Sequence, residues 1–424
     1  MSRHAVVTGL GFITSIGNDR AAVTESLRSL RPGLERVEFL GNPSLAVKVA
    51  GTIKEFSVDS PTWRDWRYPA RYSLPREALR SLPPHGLYAI CAVEQALADS
   101  GLAATDLTDG ATGLYCASAG SAFLLHHHLA HMHAVHGERG NPMGVVASIA
   151  GTLNFNLAAN YGIRGAVGGF AAACASSSHA LGCALDDIRL GRQTRMLVVG
   201  AEEVNAETIL PFAAMRALST NPDPATASRP FDQQRDGFVG AGGAVCLILE
   251  EAESARKRGA PIYAELAGWG QAADGFNVAV SHPDGAGLAE AIRRALADAG
   301  VKPAEIGYVN AHATSTPAGD RSEALALATV FTKTGAHPQV SSTKGLTGHP
   351  LSMSGVMEAS FCALAIRDGF IPGNANLVSP DDACAGLSLP RSTAAAAPGI
   401  VLNNSSGFGG SNVCHVFKPA GARV

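Results

Sequence analysis

The sequence predicts an α/β protein built from two similar halves. Residues 92–102 read AVEQALADSGL and residues 291–301 read AIRRALADAGV, with most positions identical. Each copy has the apolar spacing of an amphipathic helix that ends at a glycine, and each continues into an apolar strand, at 111–117 in one case and 306–311 in the other. Strands that alternate with helices in both halves favour layered sheets covered by helices.

We expect the two halves to span residues 1–255 and 256–424. Both open on a glycine-containing strand, at 4–17 (HAVVTGLGFITSIG) and at 262–270 (IYAELAGWG). The first half is the longer one, and we assign the excess to an insertion at about 118–165. With 424 residues, of which 46% are hydrophobic and 16% charged, the chain is long enough to bury a large core.

Composition argues against several classes of function. The formal net charge is −3, so the chain has no basic excess with which to neutralise the phosphates of a nucleic acid. The N-terminus lacks the pattern of a signal peptide, and no apolar run reaches membrane-spanning length. The eight cysteines include no C-x-x-C pair. We therefore expect a cytoplasmic protein with reduced thiols that binds neither nucleic acid nor membrane.

Two early glycines suggest a dinucleotide-binding turn. Gly9 and Gly11 follow an apolar strand, but Thr14 stands where the third glycine of that fingerprint belongs. No acidic residue is suitably placed after a second strand. We therefore set this interpretation aside.

A cysteine at the corner of a predicted strand-to-helix turn is the strongest catalytic candidate. Residues 168–182 read GGFAAACASSSHALG, so a run of small residues ends at Cys174 and a helical pattern follows. The unpaired N–H groups and the positive dipole at a helix start are expected to lower the thiol pKa and favour the nucleophilic thiolate. The small neighbours leave room for an acyl group. From this stretch alone, the alternative is a small buried hydrophobe.

Two histidines stand in loops at predicted strand ends, where catalytic groups gather. His312 lies in YVNAHATSTPAGD, and His349 shares the loop SSTKGLTGHPLSMSG with Lys344. Near the C-terminus, residues 403–412 read NNSSGFGGSN, so glycines flank Phe408 and let the backbone approach a ligand closely. Each segment alone is compatible with a structural turn, but together with the cysteine turn they indicate an active site.

A second group of histidines lies in the predicted insertion, at His126, His127, His128, His131, His133 and His136. Helical spacing puts some of them on one face, which is compatible with a metal site. The spacing matches no established ligand pattern, so we favour a helix surface or a subunit interface.

Taken together, these motifs resemble those of the elongating β-ketoacyl-acyl carrier protein synthases. The resemblance covers almost the whole chain. It rests on the cysteine turn, HATSTPAGD at 312–320, TKGLTGH at 343–349, GFGGSN at 407–412 and PFDQQRDGFVGAGG at 230–243. It implies the thiolase-like fold, in which two duplicated α/β halves form a layered α-β-α-β-α arrangement.

The resemblance also implies the roles of the catalytic residues. Cys174 carries the acyl group, His312 and His349 stabilise the oxyanion formed during decarboxylation, and Lys344, with Glu358 as its partner, orients the site. Thiolases have a second cysteine where this chain has His349. That difference favours decarboxylative condensation with a malonyl thioester over the reversible Claisen reaction.

Around this centre, the resemblance assigns binding and supporting roles. Backbone N–H groups of Cys174 and Phe408 form an oxyanion hole, and Phe408, between Gly407 and Gly409, gates the entry of the malonyl unit. The pantetheine-binding and supporting residues that it assigns are Thr314, Thr316, Asp320 and Asn412.

The implied substrates are acyl and malonyl groups on the 4′-phosphopantetheine arm of an acyl carrier protein, with no bound cofactor and no metal. Carrier proteins are acidic, so we expect a locally basic docking patch. Arg76 and Arg80 stand where the docking residues of the family fall, and Arg139 is a weaker candidate; the alternative is a solvated helix face. We expect a homodimer, with a heterodimer that includes a chain-length subunit as the open alternative.

The chain departs from the family pattern near the site. Ser406 replaces an aromatic residue, Ala313 replaces a glycine, and Ser352, Met353 and Ser354 stand where a Gly-Ala-Ala run is common. Loss of an aromatic ring should enlarge or repolarise the pocket. We therefore hypothesise an acyl chain other than an ordinary saturated one, such as a polyketide or a polyene. The sequence leaves chain length, starter unit and pathway open.

Two other functions match part of the pattern. A non-catalytic chain-length partner of a heterodimeric synthase lacks the cysteine, so Cys174 with both histidines argues against that function. A thiolase-like acyltransferase that uses coenzyme A would condense acyl-CoA with acetyl-CoA and ignore a malonyl carrier protein.

Overall fold

The computed structural model describes residues 3–38, 40 and 45–421. Its strands are β1 (Ala5–Thr14), β2 (Glu35–Arg36), β3 (Val49–Ala50), β4 (Thr112–Ala117), β5 (Val167–Phe170), β6 (Arg195–Glu202), β7 (Gly243–Glu251), β8 (Ala264–Ala273), β9 (Ile306–Asn310), β10 (Gln339–Ser341), β11 (Ile400–Gly407) and β12 (Ser411–Lys418). Its α-helices are α1 (Arg20–Ser29), α2 (Arg76–Leu79), α3 (Pro84–Ser100), α4 (Ala122–Ala134), α5 (Gly144–Ser148), α6 (Thr152–Tyr161), α7 (Ser176–Arg189), α8 (Ala206–Ala214), α9 (Ala252–Lys257), α10 (Ala286–Ala299), α11 (Pro317–Val330), α12 (Lys344–Thr347) and α13 (Ser354–Asp368). Short 3₁₀ turns lie at Trp63–Asp65, Ala104–Thr108, Pro303–Glu305, Thr332–Thr334, Leu351–Met353, Asp382–Cys384 and Phe408–Gly410. None of the helices in these ranges is both long and apolar enough to cross a membrane.

The strand order repeats between the two halves. The main sheet has the order β10-β9-β11-β12-β8-β1-β7-β6-β4-β5, while β2 pairs with β3. Each half contributes five strands to this main sheet. When those five are numbered in chain order, both halves have the order third, second, fourth, fifth, first from the outer edge of the sheet inward. The first and fifth, and the fifth and fourth, pair antiparallel; the other two pairs are parallel. The prediction of two duplicated α/β halves is confirmed, and the residue boundary between them stays a prediction.

Helices lie between and outside the two half-sheets. α7 and α13 contact strands of both halves and form the middle layer. α3 packs on the strands of the first half, and α10, with α11 beside it, packs on the second. β1 and β8 join the half-sheets where Ala5, Val6 and Val7 pair with Leu266, Glu265 and Ala264. The predicted α-β-α-β-α layering is confirmed.

The early glycines serve helix packing in both halves. A Cβ on Gly11 would lie 1.9 Å from Ala92 O in α3. In the second half, a Cβ on Gly270 would lie 2.3 Å from Ala295 N in α10. The two repeated helices thus approach their strands equally closely, and both end at a glycine with a left-handed backbone. This close approach explains why the two glycine-containing strands resemble each other.

Five of the six histidines of the insertion lie on the surface helix α4, and His136 follows its end. His126, His127 and His131 are exposed, and His128 is half-buried with Nδ1 3.1 Å from Ser148 Oγ. Within the described ranges, no group of three His, Cys, Asp or Glu side chains could hold a metal ion. The placement agrees with the surface interpretation.

Candidate active site

The nucleophile candidate Cys174 lies in a tight turn between β5 and α7. Ala173, directly before it, has a left-handed backbone with φ of 48°. The Ser176 hydroxyl, at the start of the helix, accepts a hydrogen bond from Ala172 N–H at 2.8 Å and closes the turn. A Cβ on Gly407 would lie 2.7 Å from Ala172 O and 3.1 Å from Cys174 N. Only glycine therefore lets the C-terminal loop lie against the cysteine. The left-handed backbone of Ala173 is a strained conformation of the kind that recurs at functional sites.

Two imidazole rings lie beside the sulfur. His349 Nε2 is 3.1 Å from Cys174 Sγ. The His312 ring stands perpendicular to the His349 ring, with centroids 5.4 Å apart. His312 follows β9 and His349 follows α12, so both come from the second half, whereas Cys174 comes from the first. The structure brings the three groups together where the halves meet.

Lys344 and Glu358 form a fully buried ion pair next to the histidines. Lys344 Nζ lies 3.4 Å from His312 Nδ1. An ammonium group only donates hydrogen bonds, so Nδ1 accepts and the ring proton of His312 is on Nε2. Lys344 thus sets the tautomer of one imidazole, while Glu358, from α13, holds Lys344 in place.

Both imidazoles are neutral. Burial, and secondly the positive charge of Lys344, lowers the pKa of His312 and of His349 well below the usual range. A neutral imidazole has one N–H donor and one acceptor nitrogen. Burial also raises the pKa of Glu358 to about 7, against the opposing effect of Lys344. The site can therefore offer two ring N–H donors without a charged imidazolium.

The Cys174 thiol differs from the expectation drawn from the sequence. The sequence predicts a pKa lowered by the helix start, whereas burial raises the pKa of Cys174 to about 12, with Lys344 opposing the rise. Desolvation penalises the charged thiolate and is the largest cause of this shift. This shift is opposite in direction to the one expected from the sequence.

The gate candidate Phe408 lies at the wall of the site. Its side chain is 39% exposed, and its ring centroid is 6.2 Å from that of Phe212. Gly409 has φ of 78°, and its N–H donates to Val278 O at 2.8 Å. The loop thus depends on glycine conformations and on a neighbouring loop.

Two buried acids hold the loop that carries His312. Glu323 accepts hydrogen bonds from the backbone N–H groups of His312 at 2.8 Å and Ala313 at 2.7 Å. Asp320 accepts from Ser315 N–H at 3.1 Å. Sequence reasoning found Asp320 and missed Glu323. The only signal for Glu323 was its place directly before the apolar run at 324–328 of α11.

Asn412 links the C-terminal loop to the loop after β8. Its Nδ2 donates to Asp274 Oδ1 at 2.8 Å, and its Oδ1 accepts from the Ser406 hydroxyl at 2.7 Å. Asp274 in turn donates its backbone N–H to Gly410 O at 2.9 Å. Sequence reasoning missed Asp274, because no motif marks it. The Ser406 hydroxyl is engaged by Asn412.

The candidate catalytic groups open into a pocket of about 350 Å³. Among its lining residues are Cys174, His312, His349, Thr314, Thr316 and Phe408. The two threonine hydroxyls lie 3.1 Å apart. The pocket therefore joins the catalytic groups and the predicted pantetheine-binding residues in one space.

The predicted docking arginines lie outside this lining. Arg76 is exposed at the start of α2, and Arg80 is exposed directly after its end, with its guanidinium 3.4 Å from the Glu77 carboxylate. Arg139 is exposed after α4. Arg216, which sequence reasoning missed, is an exposed cation that lines the pocket itself.

The raised thiol pKa predicts how Cys174 reacts with iodoacetamide. Below the pKa, the thiolate fraction rises tenfold per pH unit, so the alkylation rate should rise continuously from pH 7 to pH 9. Peptide mass spectrometry at each pH measures the rate at this residue alone. A rate that levels off near pH 7 would contradict the effect of burial, and the half-buried Cys183 in the same digest is the internal comparison.

The sequence matches two family descriptions. "Beta-ketoacyl synthase, N-terminal domain" matches residues 2–255, and "Beta-ketoacyl synthase, C-terminal domain" matches residues 263–378. Together these segments account for most of the chain.

Relatives of the same kind align along nearly the full length. "3-oxoacyl-[acyl-carrier-protein] synthase 1" of Haemophilus influenzae is 37% identical over 424 residues, which cover 98% of this chain and 99% of the relative. A solved β-ketoacyl synthase from Burkholderia phymatum superposes with a TM-score of 0.90 at 32% identity, over 99% of this chain and 100% of that one. "The ishigamide ketosynthase/chain length factor" superposes with a TM-score of 0.88 at 30% identity and the same coverage. The chain has the thiolase-like fold and belongs to the β-ketoacyl-acyl carrier protein synthase family of acyltransferases.

Proposed function

We propose that Cys174 accepts an acyl group from an acyl carrier protein and that the chain extends this group by two carbons. The observation that carries the proposal is the 3.1 Å contact between Cys174 Sγ and His349 Nε2, with the His312 ring beside it. In the first step the sulfur attacks the carrier thioester, its proton passes to the departing pantetheine sulfur, and an acyl-enzyme forms. Backbone N–H groups of Cys174 and Phe408 stabilise the oxyanion.

The two histidines serve the second step. The bond between the malonyl carboxylate and its methylene carbon breaks, carbon dioxide leaves, and the electron pair forms an enolate. The Nε2–H groups of His312 and His349 donate to the enolate oxygen. The enolate carbon then attacks the acyl-enzyme carbonyl, and the Cys174 sulfur leaves as a thiolate that takes up a proton from solvent. Neutral imidazoles suit this role, and the scheme uses no metal or other bound cofactor.

The identity of the acyl chain is tested with a panel of acyl carrier proteins. Ser406, in place of an aromatic residue, supports a polyene or polyketide intermediate over a saturated chain. We expect intact mass spectrometry to detect a higher fraction of acylated protein with unsaturated or β-ketoacyl carriers than with saturated carriers of equal length. A preference for saturated chains would contradict the proposal of a polyene or polyketide substrate.

The Cys174→Ala variant is the control for this assay. It should form no adduct, and its condensation rate should fall at least about 10³-fold, because the nucleophile is absent. An adduct that persists in this variant would overturn the role of Cys174. Acyl-CoA and acetyl-CoA in the same panel test the coenzyme A-dependent alternative, which the relatives do not favour. The other alternative, a non-catalytic chain-length partner, would form no adduct with any donor.

We further propose that the carrier protein docks on exposed basic residues. Arg76 and Arg80 are exposed, and Arg216 lines the pocket. The double charge reversal Arg76→Glu/Arg80→Glu should raise the KM for the carrier protein about tenfold or more, because it turns attraction of an acidic partner into repulsion. Alkylation of Cys174 should be unchanged. An unchanged KM would restrict docking to the surface that includes Arg216.

A second copy of the chain is the proposed partner at the free edge of the sheet. β5 is the terminal strand of the first half, and its Val167 is 42% exposed. The neighbouring insertion has further exposed apolar residues: Phe155 (47%), Ile149 (42%) and Val145 (70%). Unpaired strand edges and apolar patches favour association. We place the homodimer in the cytoplasm. Light scattering should give twice the 43.5 kDa of one chain; a monomer would favour a separate chain-length subunit.

A further inference from the structure

The two serines that depart from the common Gly-Ala-Ala run each make a buried hydrogen bond. Ser352 Oγ donates to Glu202 Oε1. Ser354 Oγ lies 3.1 Å from His349 Nδ1 and has no exposed surface. Ser354 therefore touches a catalytic imidazole on the side opposite the Cys174 sulfur.

The direction of this hydrogen bond follows from the surroundings of Ser354. Within the described part of the chain, the Ser354 hydroxyl has no hydrogen-bond partner other than His349 Nδ1. If Nδ1 carried the proton, the hydroxyl would accept it and its own O–H would be buried without an acceptor, which is unfavourable. If the hydroxyl donates, both groups are satisfied and the single ring proton is on Nε2. The second arrangement leaves no buried polar hydrogen unpaired.

Lys344 does the same for the other imidazole. Its ammonium donates to Nδ1 of His312 and leaves the proton of that ring on Nε2. Glu358, which holds Lys344, follows Ser354 by four residues in α13, so both residues project from one face of the helix. The first turns of α13 therefore act on both histidines, directly through Ser354 and indirectly through Glu358.

We propose that Ser354 is a positioning residue that holds His349 in its Nε2–H tautomer, so that this ring donates to the enolate oxygen during decarboxylation. The inference rests on the proposed function of the site and deepens it. Decarboxylation needs both ring N–H donors, whereas acyl transfer to Cys174 needs the sulfur and the backbone oxyanion hole. Loss of the Ser354 hydroxyl should therefore affect the two half-reactions unequally.

The test compares the two half-reactions in the full-length Ser354→Ala variant. Release of carbon dioxide from a malonyl carrier protein measures decarboxylation, in which the enolate takes up a proton and leaves an acetyl thioester. Intact mass measures acylation of Cys174. We expect decarboxylation to fall about tenfold, less than the about 10²–10³-fold loss when an oxyanion donor is removed outright, because the ring itself remains. Acylation should stay within about twofold of the parent.

A second serine in the same helix provides the matched control. The Ser360 hydroxyl is fully buried but donates to Val356 O, within α13, at 2.7 Å. The Ser360→Ala variant should leave both half-reactions unchanged. If Ser354→Ala lowers both half-reactions by the same factor, or neither, the positioning role is overturned.

A measurement on the parent protein keeps the inference testable if the variant fails to fold. With ¹⁵N-labelled histidine, and the His349→Gln spectrum for assignment, the ring nitrogens of His349 report directly which one carries the proton. We expect the proton on Nε2; a proton on Nδ1 overturns the proposal. A parent protein that neither acylates nor decarboxylates would refute the proposed function, whereas the tautomer would still be decided by the spectrum.

Discussion

The buried ion pair between Lys344 and Glu358 is the interaction on which the site depends. An isolated charge in the interior is strongly unfavourable, so each of these groups requires the other. Once held, the ammonium lies against His312 Nδ1, fixes the tautomer of that ring, and keeps both His312 and His349 neutral through its positive charge and their shared burial. The same enclosure raises the pKa of the Cys174 thiol. A site of neutral groups around one internal ion pair can stabilise a transient oxyanion with fixed N–H donors.

The middle helical layer makes this arrangement possible. Cys174 belongs to the first half and both histidines to the second, so the halves must meet closely for the three groups to touch. α7 and α13 pack against each other between the half-sheets. At Gly355 a Cβ would lie 2.0 Å from Ser178 Oγ, so a glycine in α13 is required for this approach. Helix packing therefore sets the distance between the nucleophile and His349.

Much of the fold and of the central site could be predicted from local patterns. The repeated helix, with its glycine cap and following strand, indicated the duplication, and the small-residue run before Cys174 indicated a turn. Other residues gave weaker signals or none. Glu323 and Asp274 act through backbone groups of distant loops, and Arg216 joins the pocket only through the path of the chain after α8. The role of Gly11 in the close approach of α3 likewise follows only from the packing of that helix against β1.

The sequence by itself determined the two-halved architecture and singled out Cys174, His312 and His349 as candidates, because strand and helix periods and turn chemistry depend on neighbouring residues. Only the tertiary structure decided how the pKa values of those groups shift, since desolvation depends on every atom packed around them. It also decided which departures from the family pattern matter. Ser354 and Ser406 look alike in the sequence, but one hydrogen-bonds a catalytic ring and the other an asparagine, because their partners come from separate elements that only folding brings together.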